Sequence, residues 1–333
     1  MNKKSVFDQL AQLSFLPLYT KVVTASLQLD VYSHLSADIS AKDLAAKLGW
    51  NESNTAYFLE GLTSIGFVVK NDEMFRNSDE AETYLVKGKP EYLGSFIQYY
   101  IMNEGSMPFD IVKLVTEGPQ PMQQQTNDQS LDFAAMGAMM RQAQEGYRQK
   151  ELLDIVRSLP ENKTINSILD LGCGTGLLGM SVVTDDENRQ GTFIDLMPAS
   201  IIEESANQME LSDRIEVING NFLTDDIGKG YDLILAVSVA LFAKGNMDVF
   251  LKKCYDALNP GGVMLVISEA IAKDHTSPWD MVMGYLPYYM QGMDMGVLKN
   301  EVSESAKRIG FTNCEKRTEL LCSGIQDIDI LRK

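Results

Sequence analysis

A glycine-rich stretch directly follows a short apolar run in the middle of the chain. Residues 166–181 read NSILDLGCGTGLLGMS, with glycines at 172, 174, 176 and 179. The apolar run that ends in aspartate has the composition of a buried strand, and the apolar residues after Gly176 are typical of a helix. Glycines at this density let a ligand touch the backbone. The stretch therefore predicts a strand, a loop that binds a ligand, and a helix.

Short apolar runs alternate with helical stretches from Ser167 onward. The predicted strands are SILDL, GTFIDL, RIEVI, YDLILAV, GVMLVIS, FTNCEKR and QDIDILR. Apolar strands that are separated by helices form an open, doubly wound, mostly parallel sheet. The last two runs have no helical crossover between them, so we expect an antiparallel strand pair to close the C-terminal sheet edge.

The residues around the glycine loop narrow the kind of ligand that it binds. A phosphate-binding P-loop ends in Gly-Lys-Ser/Thr, whereas two leucines follow Gly176. Residues 174–179 match the G-x-G-x-x-G dinucleotide pattern, which is weakly specific by itself. Asp170 ends the preceding strand, where a carboxylate would repel a pyrophosphate and attract an ammonium or a sulfonium. The loop therefore favours a cationic amino-acid ligand over a diphosphate.

Asp195 is a second acidic residue at a predicted strand end. An acid at the end of the second strand of a doubly wound fold accepts hydrogen bonds from ribose hydroxyls. The ligand so described has a ribose, a positive charge and no need of phosphates. S-Adenosylmethionine fits this description.

The first hundred residues are predicted to be mostly helical, with a winged-helix pattern. ISAKDLAAKLGW begins a helix with a cap at Ser40, NESNTAYFLEGLTSIG is a second helix closed by Gly66, and FVVKNDEMFRN predicts a β-hairpin. A helix that enters the DNA major groove needs cations near phosphates, but residues 51–66 contain no lysine or arginine. The pattern therefore indicates packing rather than DNA recognition.

Overall composition restricts the partners and the compartment. Lys+Arg 29 against Asp+Glu 46 gives a net charge of −17, which argues against nucleic acid and anionic membrane partners. No run reaches the roughly 18 apolar residues that a membrane span needs. The four cysteines form no CxxC pair, so we expect reduced thiols in the cytoplasm, and with two histidines a histidine-built metal site is disfavoured.

The stretch ILDLGCGTG resembles the first motif of class I S-adenosylmethionine-dependent methyltransferases. Along nearly the whole chain, the layout is similar to that of the small-molecule O-methyltransferases of plants and of bacterial natural-product pathways. The resemblance implies a helical winged-helix dimerisation domain at 1–100, a helical connector at 101–160 that contributes to the substrate pocket, and a Rossmann-like cofactor domain at 161–333. It also implies a homodimer that binds S-adenosylmethionine and a small-molecule acceptor.

The resemblance also implies which residues contact the methionine and ribose parts of the cofactor. Gly172 and Gly174 would lie against the methionine part. Asp195 would hold the ribose, and Leu196 would border the adenine.

The adenine side is implied by two further segments. In NGNFLTD, Asn221 and Phe222 would meet the adenine, with Asn221 in place of the family's usual aspartate. The Asn221 carbonyl can still accept a hydrogen bond from the adenine amine, though without charge assistance. Another adenine-side contact falls on Val237 or Ser238.

The histidine that serves as general base in the family's O-methylating members has no counterpart here. Counting from either side of DLILAVSVALFAKGNMD places that position at Leu241 or Ala240, and neither side chain can take a proton. Glu269 in VISEAI matches the family's orienting glutamate and is the predicted catalytic residue. The loop residue His275 is a candidate substitute base, although a lone loop histidine is more often solvated.

Without a general base, the rate of methyl transfer to a phenol or alcohol would be lower by roughly 10²–10⁴-fold. Three outcomes follow: an acceptor that needs no base (a heterocyclic nitrogen, an activated carbon or an ionised enol), catalysis by proximity and desolvation alone, or loss of methyl transfer. The helix WDMVMGYLPYYMQGMDMG falls where the family lines its acceptor pocket, which favours a planar, apolar acceptor.

The leading hypothesis is therefore a methyltransferase that modifies O, N or C of a small aromatic metabolite. One alternative is a cofactor-binding relative that catalyses cyclisation, hydroxylation or decarboxylation. The other is a ligand-sensing regulator built on the winged helix.

Overall fold

The computed structural model describes residues 5–104, 109–120 and 133–333. These residues divide into two compact units, 1–107 and 108–333. Most of the predicted connector at 101–160 thus belongs to the second unit.

The first unit is mainly helical and contains a small antiparallel sheet in the strand order β1-β3-β2. Ser40 accepts a hydrogen bond from the backbone N–H of Asp43 at 3.0 Å and caps α3, as its sequence predicts. The hairpin of β2 and β3 follows α4, also in the predicted order. The elements are α1 (Val6–Leu13), α2 (Leu16–Gln28), β1 (Ile39–Ser40), α3 (Ala41–Leu48), α4 (Glu52–Ser64), β2 (Val68–Asn71), β3 (Met74–Asn77), α5 (Asp79–Tyr84) and α6 (Gly94–Glu104).

The helix α1 carries an apolar stripe that is exposed in the single chain. Ser5 and Asp8 form a capping box at its start, which fixes where the helix begins. The apolar side chains of this helix are more than half exposed: Val6, Phe7, Leu10 and Leu13. These side chains recur at helical spacing and therefore form one exposed apolar stripe along α1.

The second unit is an α/β fold built on a sheet which, over the described residues, has seven strands in the order β6-β5-β4-β7-β8-β10-β9. The strands are β4 (Ser167–Leu171), β5 (Gln190–Asp195), β6 (Ile215–Asn219), β7 (Tyr231–Val237), β8 (Leu258–Glu269), β9 (Asn313–Leu321) and β10 (Gly324–Arg332). Strands β4 to β8 pair in parallel, and β10 pairs antiparallel with both β8 and β9. The doubly wound, Rossmann-like sheet and its antiparallel C-terminal pair are confirmed.

Helices cover both faces of this sheet, which explains why its central strands are apolar throughout. Ile168 packs in one buried cluster and Leu169 in the other, because successive residues of a strand point to opposite faces. The helices of this unit are α7 (Ile111–Glu117), α8 (Phe133–Gln144), α9 (Tyr147–Arg157), α10 (Leu177–Thr184), α11 (Ala199–Gln208), α12 (Met247–Ala257), α13 (Trp279–Met290) and α14 (Glu301–Ile309).

The strand order reverses between β4 and β7, where the chain crosses from one half of the sheet to the other. In open α/β sheets, the carboxyl ends of the strands at such a switch point form a crevice that binds ligands. The predicted glycine loop lies at this point, directly after β4. Within the part of the chain that the structure describes, no helix has the length and apolar character needed to cross a bilayer.

Candidate functional site

The glycine loop between β4 and α10 has a backbone that only glycine adopts readily. Gly172, Gly174 and Gly176 have φ angles of +61°, +60° and +80°. A Cβ on Gly172 would lie 2.7 Å from Val239 Cγ1 and 3.2 Å from the ring of Phe222. The first glycine is therefore required both by its dihedral angle and by the close approach of neighbouring side chains.

Asp195 connects the end of β5 to the glycine loop. Its Oδ2 accepts a hydrogen bond from the backbone N–H of Gly174 at 2.7 Å, and its Oδ1 accepts one from that of Met197 at 2.9 Å. Each carboxylate oxygen has a further lone pair, so the side chain can still accept hydrogen bonds from a diol. Leu196 follows it and is 70% exposed. The geometry is compatible with the ribose and adenine roles predicted for these two residues.

Gln144, at the end of α8, is a loop contact that the sequence did not reveal. Its Nε2 donates to the Cys173 carbonyl at 2.9 Å, and its Oε1 accepts from Thr175 Oγ1 at 2.6 Å. A Cβ on Gly174 would lie 2.8 Å from Gln144 Nε2 and 3.4 Å from the sulfur of Met140. The helix α8 thus holds the glycine loop through one amide side chain.

Asn221 and Phe222 follow β6, as predicted, but face different surroundings. Asn221 Oδ1 accepts a hydrogen bond from the backbone N–H of Leu223 at 2.9 Å and so stabilises a local turn. Phe222 is buried, and its ring packs edge-on against Phe250 with centroids 5.9 Å apart. Phe222 borders the loop at Gly172, whereas the contact of Asn221 with an adenine stays a prediction.

Ser238 follows β7 with a left-handed backbone, at φ +57°. Its backbone N–H donates to the Ile267 carbonyl at 2.9 Å, which ties the end of β7 to β8. Its hydroxyl accepts a hydrogen bond from Arg148 Nη2 at 3.4 Å. The next residue, Val239, covers Gly172, so this turn lies beside the glycine loop.

Asp170 is buried beneath α10, with 3% of the residue exposed. Burial, followed by the charge of Asp195, raises the pKa of the Asp170 carboxyl from 3.8 to about 8, although a hydrogen bond from the Gly179 backbone opposes the shift. Its Oδ2 has no hydrogen-bond partner among the described residues. Whether this carboxyl attracts a bound cation therefore stays a prediction.

Glu269 ends β8 at the same edge of the sheet and is 3% exposed. Its Oε1 accepts a hydrogen bond from Tyr285 Oη at 2.6 Å, and its Oε2 accepts one from the backbone N–H of Val297 at 3.1 Å. Both carboxylate oxygens are thus engaged, and the side chain joins β8 to α13 and to the segment that follows it.

The position of the family's histidine contains no titratable group in this chain. Ala240 and Leu241 lie in the short 3₁₀ helix Ala240–Ala243, with Ala240 fully buried and Leu241 packed against the core. His275 has a left-handed backbone, and its ring contacts the ring of Tyr289 edge-on at a centroid distance of 4.7 Å. This aromatic contact accounts for the position of His275, and its role as a substitute base stays a prediction.

The residues around the loop fit S-adenosylmethionine in chemistry. Gly172 and Gly174 have positive φ angles that favour glycine, Asp195 offers acceptor lone pairs for ribose hydroxyls, and Phe222 supplies an apolar wall. Among the residues that the structure describes, Asp170 Oδ2 is a buried polar atom that has no hydrogen-bond partner. Over the described residues, no group of His, Cys, Asp and Glu side chains could hold a metal ion.

Comparisons with known proteins agree with this geometry. Residues 169–264 match the family model of a methyltransferase domain. The 3-hydroxy-5-methyl-1-naphthoate 3-O-methyltransferase of Streptomyces sahachiroi is 24% identical over 269 residues, which covers 78% of this chain and 76% of the relative. The tetracenomycin polyketide synthesis 8-O-methyl transferase TcmO of Streptomyces glaucescens is 22% identical over 278 residues, 80% of each chain.

Solved structures share the fold along nearly the whole chain. An O-methyltransferase family protein from Burkholderia thailandensis has a TM-score of 0.71 at 18% identity, covering 99% of this chain and 98% of its own. The structure of PigF with SAH has a TM-score of 0.69 at 20% identity, covering 99% and 100%. The family model and the curated relatives favour methyl transfer over the non-methylating and regulatory alternatives. The protein is an S-adenosylmethionine-dependent methyltransferase with a methyltransferase domain at residues 169–264, and it is similar in sequence and fold to small-molecule O-methyltransferases.

Proposed function

We propose that this enzyme methylates a small, planar aromatic metabolite. The observation that carries the proposal is the hydrogen bond between the glycine loop and Asp195 at the switch point of the sheet, where the two would bind a ribose-containing cofactor. The relatives named above act on a naphthoate and in tetracenomycin polyketide synthesis, and both are O-methyltransferases by name. Their chemistry supports an aromatic acceptor here.

The helix α13 supplies the aromatic surface for such an acceptor. The ring of Tyr285 lies 6.3 Å from that of Tyr288 and 6.4 Å from that of Tyr289. Phe109 packs edge-on against Tyr288 at 5.5 Å. Offset and edge-on contacts of this kind extend to a planar ligand ring without repacking. These four rings and His275 form the aromatic cluster next to Glu269.

The protein residues contribute binding, orientation and exclusion of water. When bound, S-adenosylmethionine supplies an electrophilic methyl group on a sulfonium. The backbone at Gly172 and Gly174 would position the methionine part, and Asp195 would orient the ribose through hydrogen bonds. Phe222 and Val239 would keep water from the apolar side of the cofactor. Orientation of the two reactants can account for a large part of the rate increase.

The cofactor assignment predicts selective binding of S-adenosylhomocysteine, the demethylated product. We expect a Kd in the micromolar range by isothermal titration calorimetry, and no heat with NAD, because the loop has no requirement for a pyrophosphate. A titration with both ligands present should give the same heats and the same Kd as a titration with S-adenosylhomocysteine alone. Binding of NAD without any response to S-adenosylhomocysteine would refute the proposed function.

The exposed stripe of α1 supports a homodimer formed through residues 1–100. Burial of four large apolar side chains would stabilise association by several kcal/mol, since each contributes about 1.5–3 kcal/mol when fully buried. We also infer that the dimer works in the cytoplasm without nucleic acid, in line with its four free cysteines and its acidic composition.

Light scattering at micromolar concentration should therefore give twice the 37.0 kDa chain mass. Leu10→Glu should shift the protein toward monomer, because a charge in a buried apolar contact is strongly unfavourable. Gln12→Glu adds the same charge on the opposite face of α1 and should leave the dimer intact. A wild-type monomer, or equal behaviour of both variants, would contradict this interface.

A further inference from the structure

Gln144 lies across the glycine loop and contacts it on both sides of Gly174. Its Nε2 donates a hydrogen bond to the Cys173 carbonyl at 2.9 Å, and its Oε1 accepts one from Thr175 Oγ1 at 2.6 Å. A Cβ on Gly174 would lie 2.8 Å from the same Nε2 atom. The amide of this one side chain therefore bridges the residues before and after Gly174.

The two loop partners of Gln144 call for different atoms of its amide. A carbonyl can only accept a hydrogen bond, so the amide nitrogen must face Cys173, and the amide oxygen is left for the Thr175 hydroxyl. Thr175 is fully buried and Cys173 is 2% exposed. Bulk water therefore does not compete with these two hydrogen bonds, and a methionine or an ionised glutamate could not replace both of them.

The backbone of the glycine loop needs restraints of this kind. Its glycines have left-handed φ angles, and glycine loses more conformational freedom on ordering than any other residue. The start of the loop is tied to β5, because the Gly172 backbone N–H donates to the Ile194 carbonyl at 2.8 Å. Gln144 restrains the other end, because its partner Thr175 lies just before α10. The loop is thus held at both ends.

The ribose side of the proposed site has restraints that do not involve Gln144. Asp195 Oδ1 accepts a hydrogen bond from the Met197 backbone N–H at 2.9 Å, and Asn219 Nδ2 donates to the Met197 carbonyl at 2.6 Å. These contacts belong to the segments that follow β5 and β6, not to the glycine loop. A change of Gln144 should therefore loosen the loop while Asp195 keeps its contact with Met197.

We propose that Gln144 is a positioning residue that fixes the glycine loop for the amino-acid part of the cofactor. The inference rests on the proposed function, in which Gly172 and Gly174 position the methionine part and Asp195 orients the ribose. A loop that already has its binding conformation loses less conformational entropy when the ligand binds. Gln144 therefore raises the affinity for ligands that have the amino-acid part more than for nucleosides that lack it.

Two probes separate the parts of the cofactor: S-adenosylhomocysteine, and 5′-methylthioadenosine, which lacks the amino-acid part. Gln144→Met removes both hydrogen bonds but keeps an unbranched side chain of similar helix propensity. By isothermal titration calorimetry, we expect its affinity to fall at least about fivefold for S-adenosylhomocysteine and less than about twofold for 5′-methylthioadenosine. Equal losses for the two probes, or no loss for S-adenosylhomocysteine, would overturn the proposal.

Thr175 allows a second test from the other side of the contact. Thr175→Val removes the hydroxyl and should lower the affinity for S-adenosylhomocysteine by about threefold or more, whereas Thr175→Ser keeps the hydroxyl and should restore it. The double variant Gln144→Met/Thr175→Val should lose little more than Gln144→Met alone, because both changes remove the same contact. Fully additive losses, or a serine variant as weak as the valine variant, would contradict the role of Gln144.

Gln149→Met is the matched control for a merely structural effect. Gln149 lies in α9, and its Nε2 donates to the carbonyl of Leu177 at 3.2 Å, in α10 rather than in the loop. This variant and Gln144→Met should both unfold at a lower temperature, but Gln149→Met should keep the wild-type ratio of the two affinities. If the wild type itself does not bind S-adenosylhomocysteine, the proposed function is wrong. If it binds and Gln144→Met also keeps the wild-type ratio, only the inference about Gln144 is wrong.

Discussion

Asp195→Ala is expected to weaken binding of S-adenosylhomocysteine by about 1.5–3 kcal/mol, or roughly 10- to 150-fold. The carboxylate is the proposed acceptor for the ribose hydroxyls, and it also holds the Gly174 and Met197 backbone N–H groups at 2.7 and 2.9 Å. Removal of the side chain takes away both the ligand contact and the restraint on the loop. Isothermal titration calorimetry of the wild type and the variant measures the difference.

Asp195→Asn separates these two contributions. An asparagine keeps one carbonyl oxygen for a backbone N–H but loses the charge. The affinity of Asp195→Asn for S-adenosylhomocysteine should therefore lie between that of the wild type and that of Asp195→Ala. Thermal unfolding without ligand shows whether either variant is still folded. An Asp195→Ala protein that is folded and binds with wild-type affinity would show that the ribose is held elsewhere.

The order of the sheet could be predicted from local patterns because its strands are buried on both faces. SILDL and YDLILAV coincide with β4 and β7, since a continuous apolar run bounded by polar or glycine residues leaves little choice of boundary. The start of β8 could not be predicted in the same way. It begins at Leu258 and includes Asn259, Pro260 and two glycines, which are residues typical of turns. Leu258 pairs with Tyr231 and Val263 with Leu233, so the turn-like residues between them form an irregularity in the pairing with β7.

More of the cofactor side of the site than of the acceptor side could be predicted from the sequence. Asp195 and the glycines lie at strand ends, and a parallel sheet brings its strand ends together wherever they occur in the sequence. Gln144 and Tyr285 lie on helices, and their contacts with Cys173 and Glu269 depend on how those helices pack. No spacing rule relates a helix residue to a partner on a distant strand, so these two contacts are findings of the structure.

The second large effect that we expect is the contribution of Asp170 to the pH dependence of the free energy of unfolding. Burial and the charge of Asp195 raise the pKa of its carboxyl to about 8 in the folded protein, whereas in the unfolded chain it is near the usual 3.8. The folded state therefore binds a proton that the unfolded state releases. Under this condition the free energy of unfolding falls as the pH rises from about 4 to about 8, and levels off above that. Burial also raises the pKa of Asp329, to about 7, which acts in the same direction.

Asp170→Asn removes the titrating group while its amide oxygen can still accept from the Gly179 backbone. We expect the fall in unfolding free energy between about pH 5 and about pH 8 to shrink by about 2–4 kcal/mol relative to the wild type. Urea denaturation at both pH values measures it, and Asp213→Asn, an exposed position, should keep the wild-type dependence. If Asp170→Asn also keeps it, the Asp170 carboxyl is ionised in the folded protein. That ionised state is the one in which Asp170 could attract the sulfonium of the cofactor.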